Sequence, residues 1–225
     1  MNPKNKIFPA VLAASIISLS AFAVYFVLPR FTKYHLSLPG NIFKRKDPIV
    51  DKTNDKKELE RIKQKALQLE KFCKNHEFSN QYGFIADLRE HSGKKRLFVF
   101  DYSKDSIVAS GMVAHGSCNQ PFLSKAKFSN TEGCGCSSVG KYKIGGTYKG
   151  RFGNAFKLHG LDTTNSNAYN RNIVLHAYDC IPDEPFFPQP ICNSLGCAMV
   201  SYNFLQTLSG FVVKSKKPVV LWILD

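Results

Sequence analysis

The stretch NIVLHAYDCIPDEPFFPQPICNSLGC, residues 172–197, is the starting point for predicting the fold, because it joins a strand, a loop and a turn. The apolar run Ile173–Leu175 predicts a buried strand that ends at His176. Gly196 precedes Cys197, so the backbone can turn sharply and present the thiol with the N–H groups of both residues. Acyl transfer needs a nucleophile, a base and oxyanion donors, and this stretch offers all three.

On spacing alone, a purely structural interpretation of these residues stays open. Cys197 would then be a small buried residue in a loop, and His176 a histidine whose hydrogen bonds the fold satisfies. A thiol at its ordinary pKa is only a few per cent thiolate near neutral pH. A nucleophilic Cys197 therefore needs a histidine or another positive group beside it.

The chain has seven cysteines, so at least one is free or paired between chains. In an oxidising compartment six of them would pair, and one would remain as a working thiol. Cys180 and Cys192 flank the proline-rich part of the loop, where a disulfide would close a short loop beside the predicted site. The alternative for these two residues is a pair of small buried thiols.

Short apolar runs separated by glycine and polar turns continue on both sides of this stretch. Leu97–Phe100 and Ile107–Ala109 predict two strands joined by a turn, and Val219–Leu224 predicts a final buried strand. Ser201 is a candidate cap for a short helix through Leu208, with its apolar face formed by Phe204, Leu205 and Leu208. These patterns predict a mainly β domain, a sandwich or barrel with short helices.

The N-terminal quarter of the chain has a different composition. Ile7–Leu28 is an apolar run of 22 residues, long enough to cross a bilayer as a helix. We predict an uncleaved single-pass inner-membrane anchor with the following domain in the periplasm; the alternative is a signal segment whose cleavage releases a periplasmic protein. The predicted divisions are a membrane anchor or signal segment (1–28), a basic linker (29–57), a helical lead-in (58–92) and a catalytic domain (93–225).

The helical lead-in is predicted from apolar residues spaced three and four apart between Glu58 and Asn75, with Lys and Glu on the other face. This amphipathic pattern consists of Leu59, Ile62, Ala66, Leu69 and Cys73. Cys73 is therefore expected to be a core residue.

The positive charge of the chain is concentrated at its start. Residues 1–57 hold ten Lys and Arg against three Asp and Glu, which is half of the net charge of +14. No stripe of basic residues interleaved with aromatics is present, so we expect no nucleic-acid partner. Anionic lipid or an anionic wall polymer is the expected partner of the basic segment.

The segments Asn172–His176 and Ser194–Cys197 resemble the His…Ser-x-Gly-Cys signature of L,D-transpeptidases with a YkuD-like catalytic domain. The similarity covers about residues 95–225. Within it, five further motifs are similar to the murein L,D-transpeptidase catalytic branch: Val113–Gly116, Phe128–Asn130, Ser137–Tyr142, Leu158–Leu161 and Asn167–Arg171.

The resemblance implies a peptidoglycan enzyme that needs no metal or organic cofactor. Cys197 would form a thioester with a stem tetrapeptide and release D-alanine, and an amine of a second stem would complete a 3→3 cross-link. His176 would be the base, held by the carbonyl of Ala177. The N–H groups of Gly196 and Cys197 would bind the oxyanion, supported by Ser194. Two alternatives are an L,D-carboxypeptidase, in which water resolves the thioester, and a non-catalytic wall-binding module.

The chain departs from the family pattern where many relatives carry an arginine two residues after the cysteine. That position is Met199, so Arg171 or Arg151 would have to bind the substrate carboxylate, although each is more often a structural or surface residue. His115 and His159 are candidates for lining the cleft or for replacing the base, and Ser137 is a candidate contact of the stem peptide.

A zinc site is an alternative use of the cysteines outside the predicted active site. It would combine the Cys134-x-Cys136 pair with His115 or His159. Since one intervening residue is not the usual spacing of a closed zinc site, we expect no metal.

Overall fold

The computed structural model describes residues 52–225, and side chains from residue 56 onward. The predicted membrane or signal segment (1–28) and most of the predicted linker (29–57) lie outside these residues. Among the helices of residues 52–225, none is both long and apolar enough to cross a membrane.

Two helices, one 3₁₀ turn and eight strands make up the described part of the chain. In order they are α1 (Lys52–Asn75), β1 (Tyr82–Asp87), β2 (Leu97–Asp101), β3 (Ser106–Gly111), β4 (Gly140–Gly150), β5 (Gly153–Gly160), the 3₁₀ turn (Thr163–Asn165), β6 (Val174–Ala177), β7 (Ala198–Val200), α2 (Tyr202–Lys214) and β8 (Val220–Leu224). The prediction of a mainly β domain with helices is confirmed.

The eight strands form one mixed sheet in the order β3-β2-β1-β8-β4-β5-β6-β7. The β1–β8 and β6–β7 pairs are parallel, and the other pairs are antiparallel. β4 pairs with β8 on one side and with β5 on the other. Backbone hydrogen bonding therefore continues from strand to strand across the whole sheet.

The chain that follows β3 reaches the far edge of the sheet. Ala114 N–H donates to the Met199 carbonyl of β7 at 2.8 Å, and Gly116 bridges to Ser194. These single bridges cover the outer edge of β7, which the strand order alone would leave unpaired. They also bring the segment after β3 beside the predicted nucleophile turn.

The two faces of the sheet have separate cores. On one face α2 shares a core with residues of the strands, and Val108 and Ala109 of β3 pack against the margin of this core. On the other face α1 packs on β1, β2 and β8. Ile62, Ala66, Leu69 and Cys73 of α1 are fully buried, as the helical spacing predicts. Leu59, expected on the same face, is 46% exposed because it lies in an open groove beside Ile107.

Several local predictions are confirmed. β2 and β3 form an antiparallel hairpin, and β8 is a buried terminal strand. Ser201 caps α2 by accepting a hydrogen bond from Phe204 N–H at 3.2 Å. The helix continues to Lys214, past the predicted end at Leu208, because the apolar spacing persists through Phe211 and Val212.

The predicted lead-in (58–92) is only partly helical. α1 begins at Lys52, and after it ends at Asn75 the chain forms β1. This strand lies inside the sheet, between β2 and β8, because its six residues are all buried. Residue 93 is therefore not the start of the sheet, and the domain divisions remain predictions.

Four of the seven cysteines pair in two disulfides, Cys118–Cys136 and Cys180–Cys192. For the cysteines that flank the proline-rich loop, the structure thus favours the bridge over the alternative of two buried thiols. Three cysteines are free rather than one, since Cys73 is enclosed in the α1 core and Cys134 and Cys197 have no disulfide partner. With Cys136 oxidised, the alternative of a zinc site at the Cys-x-Cys pair is wrong.

Candidate active site

The strand register brings the predicted nucleophile and base onto neighbouring strands. β6 pairs in parallel with β7, with His176 opposite Met199 and Leu175 opposite Ala198. Cys197 is one residue before that last pair, so it lies at the start of β7, next to the beginning of β6.

Side-chain alternation then decides which face each residue occupies. Leu175 and Ala198 point into the core that is covered by α2. His176 is one residue after Leu175 and Cys197 is one residue before Ala198, so both side chains point to the opposite face. Diagonal neighbours of this kind are about 7–8 Å apart at Cα, which is within side-chain reach. The register thus places a thiol and an imidazole in one small area.

The imidazole of His176 is buried and has a fixed tautomer. Its Nδ1–H donates to the carbonyl of Ala177 at 2.9 Å, which leaves Nε2 with a free lone pair. Burial lowers the pKa of His176 below its ordinary value, although the bond to Ala177 opposes this shift. The ring of Phe152, from the β4–β5 turn, stacks on the imidazole at 4.6 Å between centroids. His176 is therefore a neutral base near pH 7.

The Cys197 thiol is partly buried and donates a hydrogen bond to the Asn172 carbonyl, with Sγ at 3.8 Å from the oxygen. Burial raises the pKa of Cys197, and a hydrogen bond from the Val174 backbone and the positive charges of Arg171 and Lys157 only partly oppose this shift. Within residues 52–225 no hydrogen bond joins Cys197 to His176. The thiol is thus in its protonated form and requires a base to react.

The turn before Cys197 depends on a glycine. Gly196 has φ of +111°, and a Cβ there would lie 2.7 Å from the Cys136 carbonyl oxygen. Its N–H donates to the Ser194 hydroxyl at 3.0 Å. Ser194 therefore orients one of the two amides predicted to bind an oxyanion.

Arg171 is close to the thiol, but its guanidinium is engaged by the segment 129–138. Nη1 donates to the Ser129 carbonyl at 3.0 Å and to the Ser138 hydroxyl; Nη2 donates to Cys134 Sγ at 3.3 Å and to the Cys136 carbonyl. All four Nη protons are used. Arg171 therefore positions this segment beside Gly196, and is not free to bind a substrate carboxylate as predicted.

We expect Arg171→Lys to unfold at a lower temperature, because an ammonium cannot span the four acceptors of segment 129–138. The free energy of unfolding should fall by about 2–4 kcal/mol, which corresponds to a decrease of roughly 5–10 °C in Tm. Arg151→Lys is the control, since Arg151 is exposed and contacts the Phe152 ring at 5.7 Å. Equal Tm values for the two variants in thermal denaturation would contradict the assigned role.

His115 and Ser137 are buried parts of the scaffold. His115 Nδ1 accepts from Arg96 Nη2 at 2.8 Å, and its Nε2–H donates to the Leu123 carbonyl at 3.0 Å. Burial and the Arg96 charge lower the pKa of His115 to about 4. Ser137 Oγ accepts from Gly116 N–H at 3.0 Å. With both ring nitrogens committed, His115 is not the base, and the Ser137 hydroxyl holds the chain beside the site.

His159 lies on the site's face of β5, and its ring stacks on Tyr169 at 5.4 Å. It is partly exposed, so the structure leaves it available to a ligand. Met199, in contrast, is buried in a small apolar cluster with Met112, Ala114, Ile181 and Ile191.

Two contributors to this face, Phe152 and Lys157, were missed in the sequence, and Asn172 was identified only as the first residue of the Asn172–His176 motif. The alternation of Ala155, Lys157 and His159 places the three side chains on one face of a strand. This indicates that Lys157 lies near the site only once β5 is known to pair with β6. Phe152 and Asn172 lie in turns, and no local pattern indicates their contacts.

Potential metal ligands group elsewhere. Among residues 52–225 the one compact group is Glu58, Asp87 and Glu90, on α1 and around the end of β1, where Asp87 is ion-paired with Arg61.

Comparison with known proteins gives a family match. Residues 53–222 match the L,D-transpeptidase catalytic domain family. No curated protein matches the chain in sequence.

Solved structures that the chain resembles include the helical cell shape determining protein Pgp2 from Campylobacter jejuni. The two sequences are 16% identical, the match covers 66% of this chain and 49% of that chain, and the TM-score is 0.42. An L,D-transpeptidase from Xylanimonas cellulosilytica has 13% identity, covers 65% and 61% of the two chains, and has a TM-score of 0.39. One from Mycobacterium smegmatis has 9% identity, 64% and 59% coverage, and a TM-score of 0.39. The chain thus spans about half to three fifths of the length of these structures.

Proposed function

Because the chain belongs to the L,D-transpeptidase catalytic domain family, we propose that it is a peptidoglycan L,D-transpeptidase with Cys197 as nucleophile and His176 as base. The family supports a peptidoglycan-modifying activity, and the finer proposal rests on one observation. The β6–β7 register places the Cys197 thiol and the His176 imidazole on the same face, with the imidazole tautomer fixed by the Ala177 carbonyl.

The first half-reaction cleaves a peptide bond and forms a thioester. His176 Nε2 removes the proton from Cys197 Sγ as the sulfur attacks the carbonyl carbon of the third stem residue. The tetrahedral intermediate collapses, the C–N bond breaks, and the imidazolium gives its proton to the amine of the departing D-alanine.

The second half-reaction uses an amine of a neighbouring stem. His176 Nε2 accepts a proton from this amine as its nitrogen attacks the thioester carbonyl. The C–S bond breaks, the proton passes to Cys197, and a 3→3 cross-link results. If water replaces the amine, the product is a shortened stem and the enzyme is an L,D-carboxypeptidase.

The protonation states favour proton transfer during attack over a preformed ion pair. The pKa of the thiol is raised and the pKa of the imidazole is lowered, so neither group is charged near pH 7. Before attack, Sγ has to leave the Asn172 carbonyl and turn toward the imidazole. The two side chains share a face, so the movement that we propose is a rotation about the Cys197 Cα–Cβ bond.

The oxyanion is proposed to bind to the N–H groups of Gly196 and Cys197. In the free protein the Gly196 amide donates to Ser194 Oγ, and the oxyanion would take the place of this hydroxyl. Losing one such donor typically costs on the order of a hundred-fold or more in rate.

We propose a periplasmic location, with the chain anchored by Ile7–Leu28 or released from it by cleavage. The two disulfides of the domain, Cys118–Cys136 and Cys180–Cys192, support an oxidising compartment.

The test of this function is incubation of the protein with a purified stem tetrapeptide. We expect free D-alanine together with a dimer one D-alanine lighter than two tetrapeptides, both measured by mass spectrometry. D-alanine without a dimer, in the presence of excess acceptor, would assign the carboxypeptidase. Binding to purified cell-wall sacculi without any release would assign a wall-binding module and overturn the enzyme proposal.

A further inference from the structure

A group of polar and basic side chains extends from the thiol across β5 and β4. We call it the basic shelf; it consists of Lys143, Lys157, His159, Tyr169 and Asn172. β5 pairs with β6 so that Lys157 is opposite Val174, and β4 pairs with β5 so that Lys143 is opposite His159. Because residues two apart in a strand share a face, both lysines lie on the face of the sheet that carries His176 and Cys197.

Lys157 is held next to the thiol through a single residue. Its Nζ donates to Asn172 Oδ1 at 2.8 Å and lies 5.0 Å from the centroid of the Tyr169 ring. The main-chain carbonyl of the same Asn172 accepts the hydrogen bond of Cys197 Sγ–H. An ammonium has three donors, so two protons of Lys157 remain for a ligand.

The positive charge of the shelf is not neutralised within the described domain. Among residues 56–225 no Asp or Glu is ion-paired with Lys143 or Lys157 of the shelf, or with the nearby Arg171. In contrast, Lys141, two residues before Lys143, is ion-paired with Asp162 at 2.9 Å. Burial lowers the pKa of His159, and the positive charges of Lys143 and Lys157 lower it further. An uncompensated cluster of this kind beside a reactive sulfur favours a substrate with an anionic group near the scissile bond.

A peptide carboxylate at the end of the donor stem fits this position. The sulfur and the scissile carbonyl carbon are about 3–3.5 Å apart in an attack geometry. The C-terminal carboxylate of the leaving residue is one residue further on, about 4 Å beyond. The carboxylate is then roughly 7 Å from the sulfur. Lys157 is on β5, the strand on the other side of β6 from Cys197, and its long side chain lies on the same face.

We propose that Lys157, assisted by Lys143, binds the C-terminal carboxylate of the residue that is released from the donor stem. Lys157 is thereby a specificity residue: it selects stems that end one residue beyond the scissile bond with a free carboxyl group. The proposal rests on the proposed transpeptidase function, because it needs a peptide carbonyl beside Cys197.

The test compares two donor peptides, the tetrapeptide acid and the same tetrapeptide with a C-terminal carboxamide. A charge-assisted hydrogen bond to the acid should give the unaltered protein a preference of about 10- to 100-fold in kcat/KM. Lys157→Gln should reduce this preference to about threefold or less, with little change for the carboxamide. Lys149→Gln is the matched control, because Lys149 is an exposed β4 lysine paired with Asn154, and it should keep the full preference.

Binding measured without turnover separates this proposal from the proposed function. In a Cys197→Ala background, the Kd for the acid should be lower than for the carboxamide, and adding Lys157→Gln should remove the difference. Preferential binding by a protein that releases no D-alanine would overturn the transpeptidase function and retain the carboxylate site. Three results would overturn the carboxylate site. They are an unchanged preference for the acid in the turnover of Lys157→Gln, an equal loss of kcat/KM on both peptides, and binding of neither peptide.

Discussion

A Cys197→Ala variant is expected to release D-alanine from tetrapeptide stems at least about a thousand-fold more slowly than the unaltered protein. Removal of the sulfur leaves no group for a covalent intermediate. The fold should persist, since Cys197 contributes only two sulfur hydrogen bonds, to the Asn172 carbonyl and from the Val174 backbone, and partial contact with the small Met199 cluster. Release of D-alanine, measured by mass spectrometry, together with the far-UV spectrum of the variant, checks both parts.

The matched control is Cys134→Ala, because Cys134 is the other free and partly buried thiol and also lies beside Arg171. It should retain most of the turnover. A carbapenem, which carries a strained acyl group, should add its mass to the unaltered protein and to Cys134→Ala, and leave Cys197→Ala unchanged. Full turnover by Cys197→Ala, or an equal loss in Cys134→Ala, would show that the nucleophile is wrongly assigned.

The second large effect is expected for His176→Gln, which removes the base while keeping a polar side chain of similar length. Proton transfer by a positioned side chain contributes about 10²- to 10⁴-fold in rate, and we expect a loss in this range. The base works only in its neutral form. Burial lowers the pKa of His176. As the pH is lowered, the unaltered protein should therefore stay active past the ordinary histidine pKa of about 6.5, and its rate should fall only at a lower pH.

The pH profile of kcat/KM distinguishes His176 from the other histidine on this face. In His176→Gln the acid limb of the profile should disappear. In His159→Gln it should remain, with a rate within about tenfold of the unaltered protein, because His159 contacts the Tyr169 ring at the side of the site. If the limb persists in the first variant and vanishes in the second, the roles of the two histidines are exchanged.

Local patterns in the sequence predicted much of the secondary structure. The β2–β3 hairpin, the Ser201 cap and the buried face of α1 each depend on residues within 14 positions of one another. The structure confirms all three, except that Leu59 of α1 is exposed. The pairing of Cys180 with Cys192 is also local. The course of the chain from α1 into β1 was missed, because the strand is recognisable only by its neighbours β2 and β8.

The less predictable part of the site comes from contacts between distant residues. The sequence left Arg171 open as a substrate ligand or as a structural arginine. Its acceptors, which show the structural role, lie on a segment 33–42 residues earlier in the chain. The role proposed for Lys157 depends on pairing between β5 and β6 and on the left-handed backbone of Asn172, with φ of +55°. A sequence shows which side chains are available, and the tertiary fold determines which of them are already occupied.

The bridge from Ala114 to Met199 bears on when the chain becomes reactive. The three-residue strand that follows Cys197 is enclosed by β6 on one side and by the segment after β3 on the other. β6 and the segment after β3 are far apart along the chain, so their pairing with β7 is a non-local contact that requires distant parts of the chain to come together. A nascent or partly unfolded molecule would therefore carry the sulfur without its surroundings, and acyl transfer would begin only after the whole domain has closed around it.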